Sequence, residues 1–370
     1  MKCKCKNAVK WLFVISASWA LMVHVWNYNK HALNAPTISR FHRIENLTRF
    51  HRKENSARLH QIENSTRFHR IEYSTENPPI DINMSFTNRR KNINFRIIVI
   101  TFNRPSSLER LLNSLNEADY MNDYVAIEIW IDRSKSGLIH EGTYAAAKRF
   151  IFKKGMIDVF NHSAHVGIYG QWMGLWQPSL HSKEIAVILE DDLTVSPYFY
   201  RYLKNVHLKY DKHNDINGFA LQCSMKHGGE SGNIQAPYDH VVFKYPIIGT
   251  WGFSPKTINW LNFTKWYKIH SIKKGFYPLV PGILPTSWFQ TFMKTGKTDT
   301  MWEMWHIYYA WSNREKTVYP NFPKCEALSI NWREIGLHYK VNENVTDRLI
   351  SKWDIRFENL PDNLIELDVH

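Results

Sequence analysis

Three consecutive acids, Glu190, Asp191 and Asp192, follow an apolar run that begins at Ile185. Neighbouring carboxylates repel one another, so such a triplet is costly unless a cation or hydrogen bonds compensate. Mn²⁺ and Mg²⁺ favour oxygen ligands and can bridge a carboxylate to two phosphates. The triplet therefore predicts a divalent cation beside a diphosphate. The alternative is that these acids cap a helix beginning near Pro197, which accounts better for one acid than for three.

The elements that must position these acids follow from residue 95, where buried apolar runs alternate with amphipathic segments. This alternation is typical of an α/β domain with a mainly parallel sheet. Ser106 and Glu109 have the spacing of a capping box, which predicts a first helix over 107–117. We also expect strands at 96–101, 125–131, 156–160, 185–189 and 219–223, and helices at 143–152, at 168–176 and from Pro197.

Polar residues follow three of these predicted strands. Thr101 and Arg104 come at the end of the first, Asp132 follows the second, and the acid triplet follows the fourth. In an open parallel sheet, ligands bind beyond the carboxyl ends of the strands. We therefore expect these side chains to converge on one ligand site.

The segment from Val187 to Pro197, V-I-L-E-D-D-L-T-V-S-P, resembles the E-D-D-L-x-V-x-P signature of N-acetylglucosaminyltransferase I and its O-mannose-linked relatives. The resemblance implies a GT-A fold, which is a Rossmann-like, mainly parallel sheet with helices on both faces. It also implies that Asp192 holds Mn²⁺ or Mg²⁺, and that Asp191 and Glu190 position a nucleotide-sugar. The implied activity is a metal-dependent, inverting glycosyltransferase that moves N-acetylglucosamine from a UDP-sugar to a glycan or glycoprotein hydroxyl.

Other segments are similar to elements of that family, in the same order along the chain. The stretch 97–106 is similar to a strand and turn that touch the nucleotide, which implies donor contacts for Thr101 and Arg104. Asp132 resembles the acid that reads the uracil or ribose side. Three further segments, G-T-W-G at 249–252, W-E-M-W at 302–305 and G-L-H at 336–338, are similar to acceptor-side or sugar-side elements. The residues implied on that side are Trp251, Gly252, Trp302 and His338.

The chain departs from the family pattern at the expected base. The family has two adjacent acids between two tryptophans and its base is taken to be the second, whereas this chain has Glu303 followed by Met304. Glu303 is the candidate base that would deprotonate the acceptor hydroxyl. Two alternatives stay open: a non-catalytic sugar-binding or scaffolding relative, and a retaining transferase that needs no base. A family histidine near Trp172 is also missing, with Tyr169 or Gln171 in its place, which leaves the donor sugar open.

The N-terminal region predicts a membrane anchor. Four lysines within residues 1–10 precede a membrane-friendly run over 11–26, a pattern that orients the lysines towards the cytosol. A nine-residue repeat starting at Arg40 is interpreted as part of a lumenal stem over 27–94, ahead of a glycosyltransferase domain over 95–370. We therefore expect a single-pass type II protein of the Golgi membrane. A cleaved signal peptide is the alternative.

The distribution of charge argues against a nucleic-acid partner. Of the net charge of +13, residues 1–94 carry +10 and the other 276 residues only +3. A nucleic-acid-binding protein is expected to concentrate this charge on its folded domain, with aromatic side chains among the basic ones. The predicted partners are instead the UDP-sugar, the acceptor and the membrane.

The cysteines and glycosylation sequons fit a lumenal domain. Only Cys223 and Cys325 lie beyond the predicted anchor, and two such thiols in an oxidising compartment more often pair than stay free. We therefore expect one disulfide between them. Sequons of the type N-x-S/T begin at Asn46, Asn64, Asn83, Asn161, Asn262 and Asn344.

Overall fold

The structure is a computed structural model that describes residues 93–223, 232–335, 345 and 347–369. All of them belong to one unit, Ile82–His370. Its helices are α1 (Pro105–Glu117), α2 (Glu141–Arg149), α3 (Gly167–Gly174), α4 (Phe199–Tyr210), α5 (Thr257–His270), α6 (Leu284–Thr295) and α7 (Glu303–Asn313). Its strands are β1 (Phe95–Thr101), β2 (Val125–Ile131), β3 (Gly155–Asn161), β4 (Ile185–Glu190), β5 (Leu193–Val195), β6 (Ile216–Ala220), β7 (Val242–Tyr245), β8 (Phe253–Pro255), β9 (Lys316–Pro320) and β10 (Ser329–Asn331).

Eight of these strands form one mostly parallel sheet in the order β3-β2-β1-β4-β8-β6-β9-β7. Strands β3, β2, β1 and β4 are mutually parallel, whereas β8 runs antiparallel to both of its neighbours and β7 runs antiparallel to β9. Strands β5 and β10 form a separate antiparallel pair. The mixed α/β architecture with a mainly parallel sheet is the one that the sequence predicts.

Alternate side chains of β1 show how the sheet is covered on both faces. Phe95, Ile97 and Val99 join a core with α1, α2 and α4, whereas Ile98 and Ile100 join a second core with α3, α5, α6 and α7. Successive side chains of a strand point to opposite faces, so one apolar run supplies both cores. The helices therefore lie on both faces, as expected.

The first helix corrects one sequence prediction. It begins at Pro105, not at residue 107, and no side chain caps its first turn. Proline suits the first helical position because its missing N–H would have no intrahelical partner there. Ser106 is thus already inside the helix and does not form the predicted capping box. The helix predicted from Pro197 similarly begins later, at Phe199, and β5 lies between it and the acid triplet.

The predicted location in the Golgi membrane is corrected by the lengths of the helices. Within the part of the chain that the structure describes, no helix is long and apolar enough to cross a membrane. The longest, α5, has 14 residues, whereas a span needs about 20. The segments on which that prediction rested, the run over 11–26 and the stem up to residue 92, lie outside the described residues.

Candidate functional site

The predicted site lies at the point in the sheet where successive strands are added on opposite sides of β1. The chain adds β2 and β3 on one side of β1, and then adds β4 on the other side of β1. Such a switch point leaves a crevice beyond the carboxyl ends of the two central strands, and ligands of open α/β sheets bind there. Thr101 ends β1, and Glu190 ends β4 with Asp191 and Asp192 directly after it. These predicted site residues are therefore brought together.

The guanidinium of Arg104 joins the two aspartates of the triplet. It contacts the Asp191 carboxylate and donates from Nη1 to Asp192 Oδ2 at 2.8 Å. Thr101 Oγ1 donates to the other oxygen of Asp191 at 2.6 Å. Asp191 and Asp192 are both buried, with 2% and 6% of their surfaces exposed. In this structure the repulsion within the triplet is therefore relieved by a protein cation and hydrogen bonds, which is the other solution that the sequence allows.

Burial raises the pKa of two of the three acids, Asp191 and Glu190. It raises the pKa of Asp191 to about 6, although the Arg104 charge opposes the shift. Burial also raises the pKa of Glu190, and the charge of Asp192 adds to this effect. The Arg104 charge is the main group that opposes protonation of Asp191.

Two stacked tryptophans connect the triplet to the candidate base. Trp172 Nε1 donates to Glu190 Oε1 at 3.1 Å, and the Trp172 ring stacks on Trp302 with centroids 4.2 Å apart. Glu303, the next residue after Trp302, begins α7. Trp302 itself is only 2% exposed, so its role in this structure is packing. Glu303 is thus connected to Glu190 through the hydrogen bond of Trp172, the stacking of Trp172 on Trp302, and the chain from Trp302 to Glu303.

Glu303 occupies a weakly polar position. It is partly buried, and this burial raises its pKa to about 7 against the opposing effect of a backbone N–H. Tyr169 helps to hold the segment that precedes α7, because its hydroxyl donates to the carbonyls of Thr298 and Met301 at 2.7 and 2.9 Å. Met304 is fully buried in the core. Of the two positions between the tryptophans, only the first is therefore available to a ligand.

Asp132 lies at the same edge of the sheet but is engaged by the chain. Its two carboxylate oxygens accept the N–H groups of Val166 and Gly167, both at 2.9 Å, at the start of α3. The His165 ring also lies 3.1 Å away, and Asp132 is 3% exposed. Asp132 thus fixes the entry to α3. Its predicted contact with a nucleotide stays a prediction.

The loop that carries Trp251 and Gly252 directly precedes β8 and lies at the same edge of the sheet. Trp251 donates its N–H to Gln222 Oε1 at 2.6 Å, and its carbonyl accepts the hydroxyl of Ser329 in β10. Gly252 has a φ of 90°, and a Cβ there would lie 2.8 Å from Leu221 Cδ1. Only glycine fits such a position without strain. Trp251, which is partly exposed, is therefore held at a defined place beside the crevice.

Of the remaining predicted residues, one lies in a segment that the structure does not describe and two lie in segments that it does. His338 lies outside the described residues. Cys223 and Cys325 form a disulfide, with Cα atoms 5.4 Å apart, as the sequence predicts. Within the described ranges, no group of three or more His, Cys, Asp or Glu side chains could hold a metal ion.

The sequence does not predict a role for Asn331, and it indicates Gln171 only as a residue in the place of a family histidine. The amide of Asn331 donates to Asp192 Oδ1 at 2.9 Å, and that of Gln171 donates to the Thr101 carbonyl at 3.2 Å. Both side chains are buried. A polar residue after the short segment A-L-S-I at 327–330 is the one sequence signal for Asn331, and it does not indicate a partner 139 positions away.

Comparisons with known proteins give only distant similarities. No protein-family model matches the chain, and no curated protein is similar enough to count as a match. A solved mannosyltransferase, PcManGT from Pyrobaculum calidifontis in complex with GDP-Man and Mn²⁺, is 16% identical over 45% of each chain, with a TM-score of 0.30. S. aureus TarS 1-349 is 15% identical over 62% of this chain and 60% of its own, with a TM-score of 0.33. The chain thus spans less than two thirds of either protein. TM-scores this low do not establish a common fold.

Proposed function

We propose that this protein is a GT-A glycosyltransferase that moves a sugar from a nucleoside diphosphate sugar to a hydroxyl of a glycan or glycoprotein. The first candidate donor is UDP-N-acetylglucosamine, and the first candidate mechanism is an inverting displacement. One observation carries the proposal. The carboxylates at the switch point are joined to Arg104 on one side and, through Glu190, Trp172 and Trp302, to a half-buried glutamate on the other.

The donor half of the site suits a diphosphate. Arg104 supplies a fixed positive charge at the carboxyl end of β1, and α1 begins at the next residue. The first turn of α1 has no side-chain cap, so the N–H groups of Ser106 and Ser107 remain for an anion. Asp191 and Asp132 are carboxylates of the kind that accept hydrogen bonds from ribose hydroxyls. These features support contacts with a nucleotide at this edge.

A divalent cation fits this site only together with the diphosphate. The Asp192 side chain is positioned by an uncharged partner, Asn331, as well as by Arg104. Each carboxylate oxygen can accept more than one partner. Mn²⁺ and Mg²⁺ are commonly held by one or two carboxylates plus substrate phosphates. When bound, the ion would supply positive charge to the leaving diphosphate.

The acceptor half of the site needs a group that takes a proton. Glu303 has a pKa of about 7 because of burial, and a base is most effective when its pKa is close to the working pH. As the acceptor hydroxyl attacks the anomeric carbon, its proton passes to Glu303, and the bond to the diphosphate oxygen breaks. Trp251 and His338 stay predicted contacts on the sugar or acceptor side.

The experiment is a transfer assay on the full chain with a panel of UDP-sugars, acceptor glycans and Mn²⁺, read out as free UDP and as glycosylated product. Glu303→Gln should lower kcat at least about 100-fold, the range for loss of a general base. Glu315→Gln is the matched control, because burial raises its pKa to about 7 as well. It lies beyond the other end of α7 and should retain activity close to that of the unsubstituted protein.

Each outcome of this assay is informative. Equal activity in Glu303→Gln and Glu315→Gln would reject Glu303 as the base, and retention of the donor's anomeric configuration would point to the retaining alternative. UDP binding without turnover on any sugar would favour the non-catalytic alternative. No UDP binding at all would reject the proposed function.

A further inference from the structure

We infer that Asn331 is a positioning residue for Asp192: its amide holds Oδ1 away from Arg104 and so fixes the orientation in which the carboxylate would meet the divalent cation. The inference rests on the proposed function. It concerns how the chain prepares Asp192, and no sequence pattern or similarity assigns a role to Asn331. Three sets of contacts carry it.

The first set fixes the amide of Asn331. The side chain is 6% exposed, and its Nδ2 donates to Asp192 Oδ1 at 2.9 Å. Its Oδ1 accepts the backbone N–H of Arg333 at 2.6 Å. Because an oxygen must face that N–H, the amide nitrogen must face Asp192. The orientation is therefore set by the backbone and not by Asp192 itself.

The second set fixes the backbone on both sides of this contact. Strand β10 pairs antiparallel with β5, with Asn331 opposite Leu193, the residue after Asp192. The N–H of Trp332 donates to the carbonyl of Asp192 at 2.9 Å. Trp332 Nε1 also donates to Thr194 Oγ1 at 2.7 Å. Asn331 and Asp192 are thus held side by side by the main chain as well.

The third set connects the same segment to the helix that follows Arg104. The Glu334 carboxylate accepts hydrogen bonds from Ser107 and Arg110, both in α1. The Arg110 guanidinium lies 4.4 Å from the Trp332 ring centroid. Residues 331–334 therefore hold Asp192 at one end and the beginning of α1, next to Arg104, at the other.

These contacts assign different partners to the two oxygens of Asp192. Oδ1 is held by Asn331, and Oδ2 faces the charged Arg104. Without Asn331 the carboxylate could rotate and turn both oxygens to Arg104. Groups that hydrogen-bond a metal-binding carboxylate orient it, and their loss typically lowers metal affinity 10- to 100-fold. Asn331 should therefore act on the cation more than on the nucleotide.

The test is calorimetric titration of UDP into the full chain at a series of Mn²⁺ concentrations. The substitution Asn331→Leu removes the amide and keeps a similar volume. We expect the Mn²⁺ concentration that gives half of the maximal UDP affinity to rise about 10- to 100-fold. At saturating Mn²⁺ the affinity for UDP should stay within about 3-fold of the unsubstituted value, since Asn331 contacts no predicted nucleotide ligand except through Asp192.

Asn321→Leu is the matched control for loss of a buried amide. Asn321 is also 6% exposed, and its Nδ2 donates to the carbonyls of Ala236, Pro237 and His240. Asn321→Leu should lower the melting temperature as Asn331→Leu does. Its Mn²⁺ midpoint, the Mn²⁺ concentration that gives half of the maximal UDP affinity, should be unchanged. Equal midpoints in Asn331→Leu, Asn321→Leu and the unsubstituted protein would overturn the inference, and so would UDP binding that does not depend on Mn²⁺. No UDP binding by the unsubstituted protein would instead be a failure of the proposed function.

Discussion

The two ends of the candidate site control their carboxylates in different ways. At the donor end, Asp191 and Asp192 are buried together with an opposite charge, Arg104. At the acceptor end, the pKa of Glu303 is raised to about 7 by burial, with only a backbone N–H opposing the shift. The first arrangement pairs its acids with a positive charge, whereas the second leaves an acid near its titration point so that it can exchange a proton. The difference predicts opposite effects of neutralising substitutions at the two ends.

The largest expected effect is at Arg104. Arg104→Met leaves two buried carboxylates without their cation, and breaking a buried ion pair in this way costs about 3 to 5 kcal/mol. We expect a loss near about 3 kcal/mol in the free energy of unfolding at pH 7, because the Arg104 side chain is 25% exposed. Urea denaturation measures this quantity.

A more exposed ion pair provides the control for Arg104. Arg201 and Glu358 form a pair at 2.7 Å, with both side chains about 30% exposed. Arg201→Met should therefore cost at most about 1 kcal/mol. Equal losses of unfolding free energy in the two variants would show that burial of the aspartates does not make the Arg104 ion pairs contribute more than an exposed pair.

A smaller effect of opposite sign is expected at Glu303. Because burial raises the folded-state pKa of this acid from 4.5 to about 7, the folded state holds its proton more tightly than the unfolded state does. The stability that Glu303 contributes is thus present below about pH 4.5 and is lost as the pH rises through about 7. Glu303→Gln should remove this loss.

The measurement is the free energy of unfolding of Glu303→Gln against the unsubstituted protein between pH 4 and pH 9. The free energy of unfolding of the variant minus that of the unsubstituted protein should be about 2 kcal/mol larger at pH 8 than at pH 4. This value is reduced for the partial exposure of Glu303. A difference that is constant across this pH range would contradict the assignment of Glu303 as a carboxyl with a raised pKa.

The sequence predicts well which residues meet at the carboxyl ends of β1 and β4, because the information is local. Each relevant acid or arginine comes directly after a buried apolar run, and the carboxyl ends of parallel strands meet at one edge. Thr101, Arg104, Asp191 and Asp192 are accordingly found together. The disulfide follows from a choice between only two cysteines beyond residue 5.

The rest depends on contacts between distant parts of the chain. No local pattern indicates that Asn331 reaches Asp192, or that Trp172 joins Glu190 to Trp302. The predicted start of α1 at residue 107 is wrong, because the helix begins two residues earlier at Pro105, and proline suits a first helical position. Burial of Trp302 could not be read from composition, since tryptophan is as suited to a core as to a sugar site. Tertiary packing decides these points.

The most direct test of the account is calorimetry of UDP with the full chain in Mn²⁺, comparing the unsubstituted protein with Asp192→Ala. The account predicts that UDP binds to the unsubstituted protein and that its affinity falls at least about 100-fold in the variant, as expected when a carboxylate that binds the cation is lost. UDP affinity that is the same in both proteins would contradict a nucleotide-sugar site at the carboxyl ends of β1 and β4.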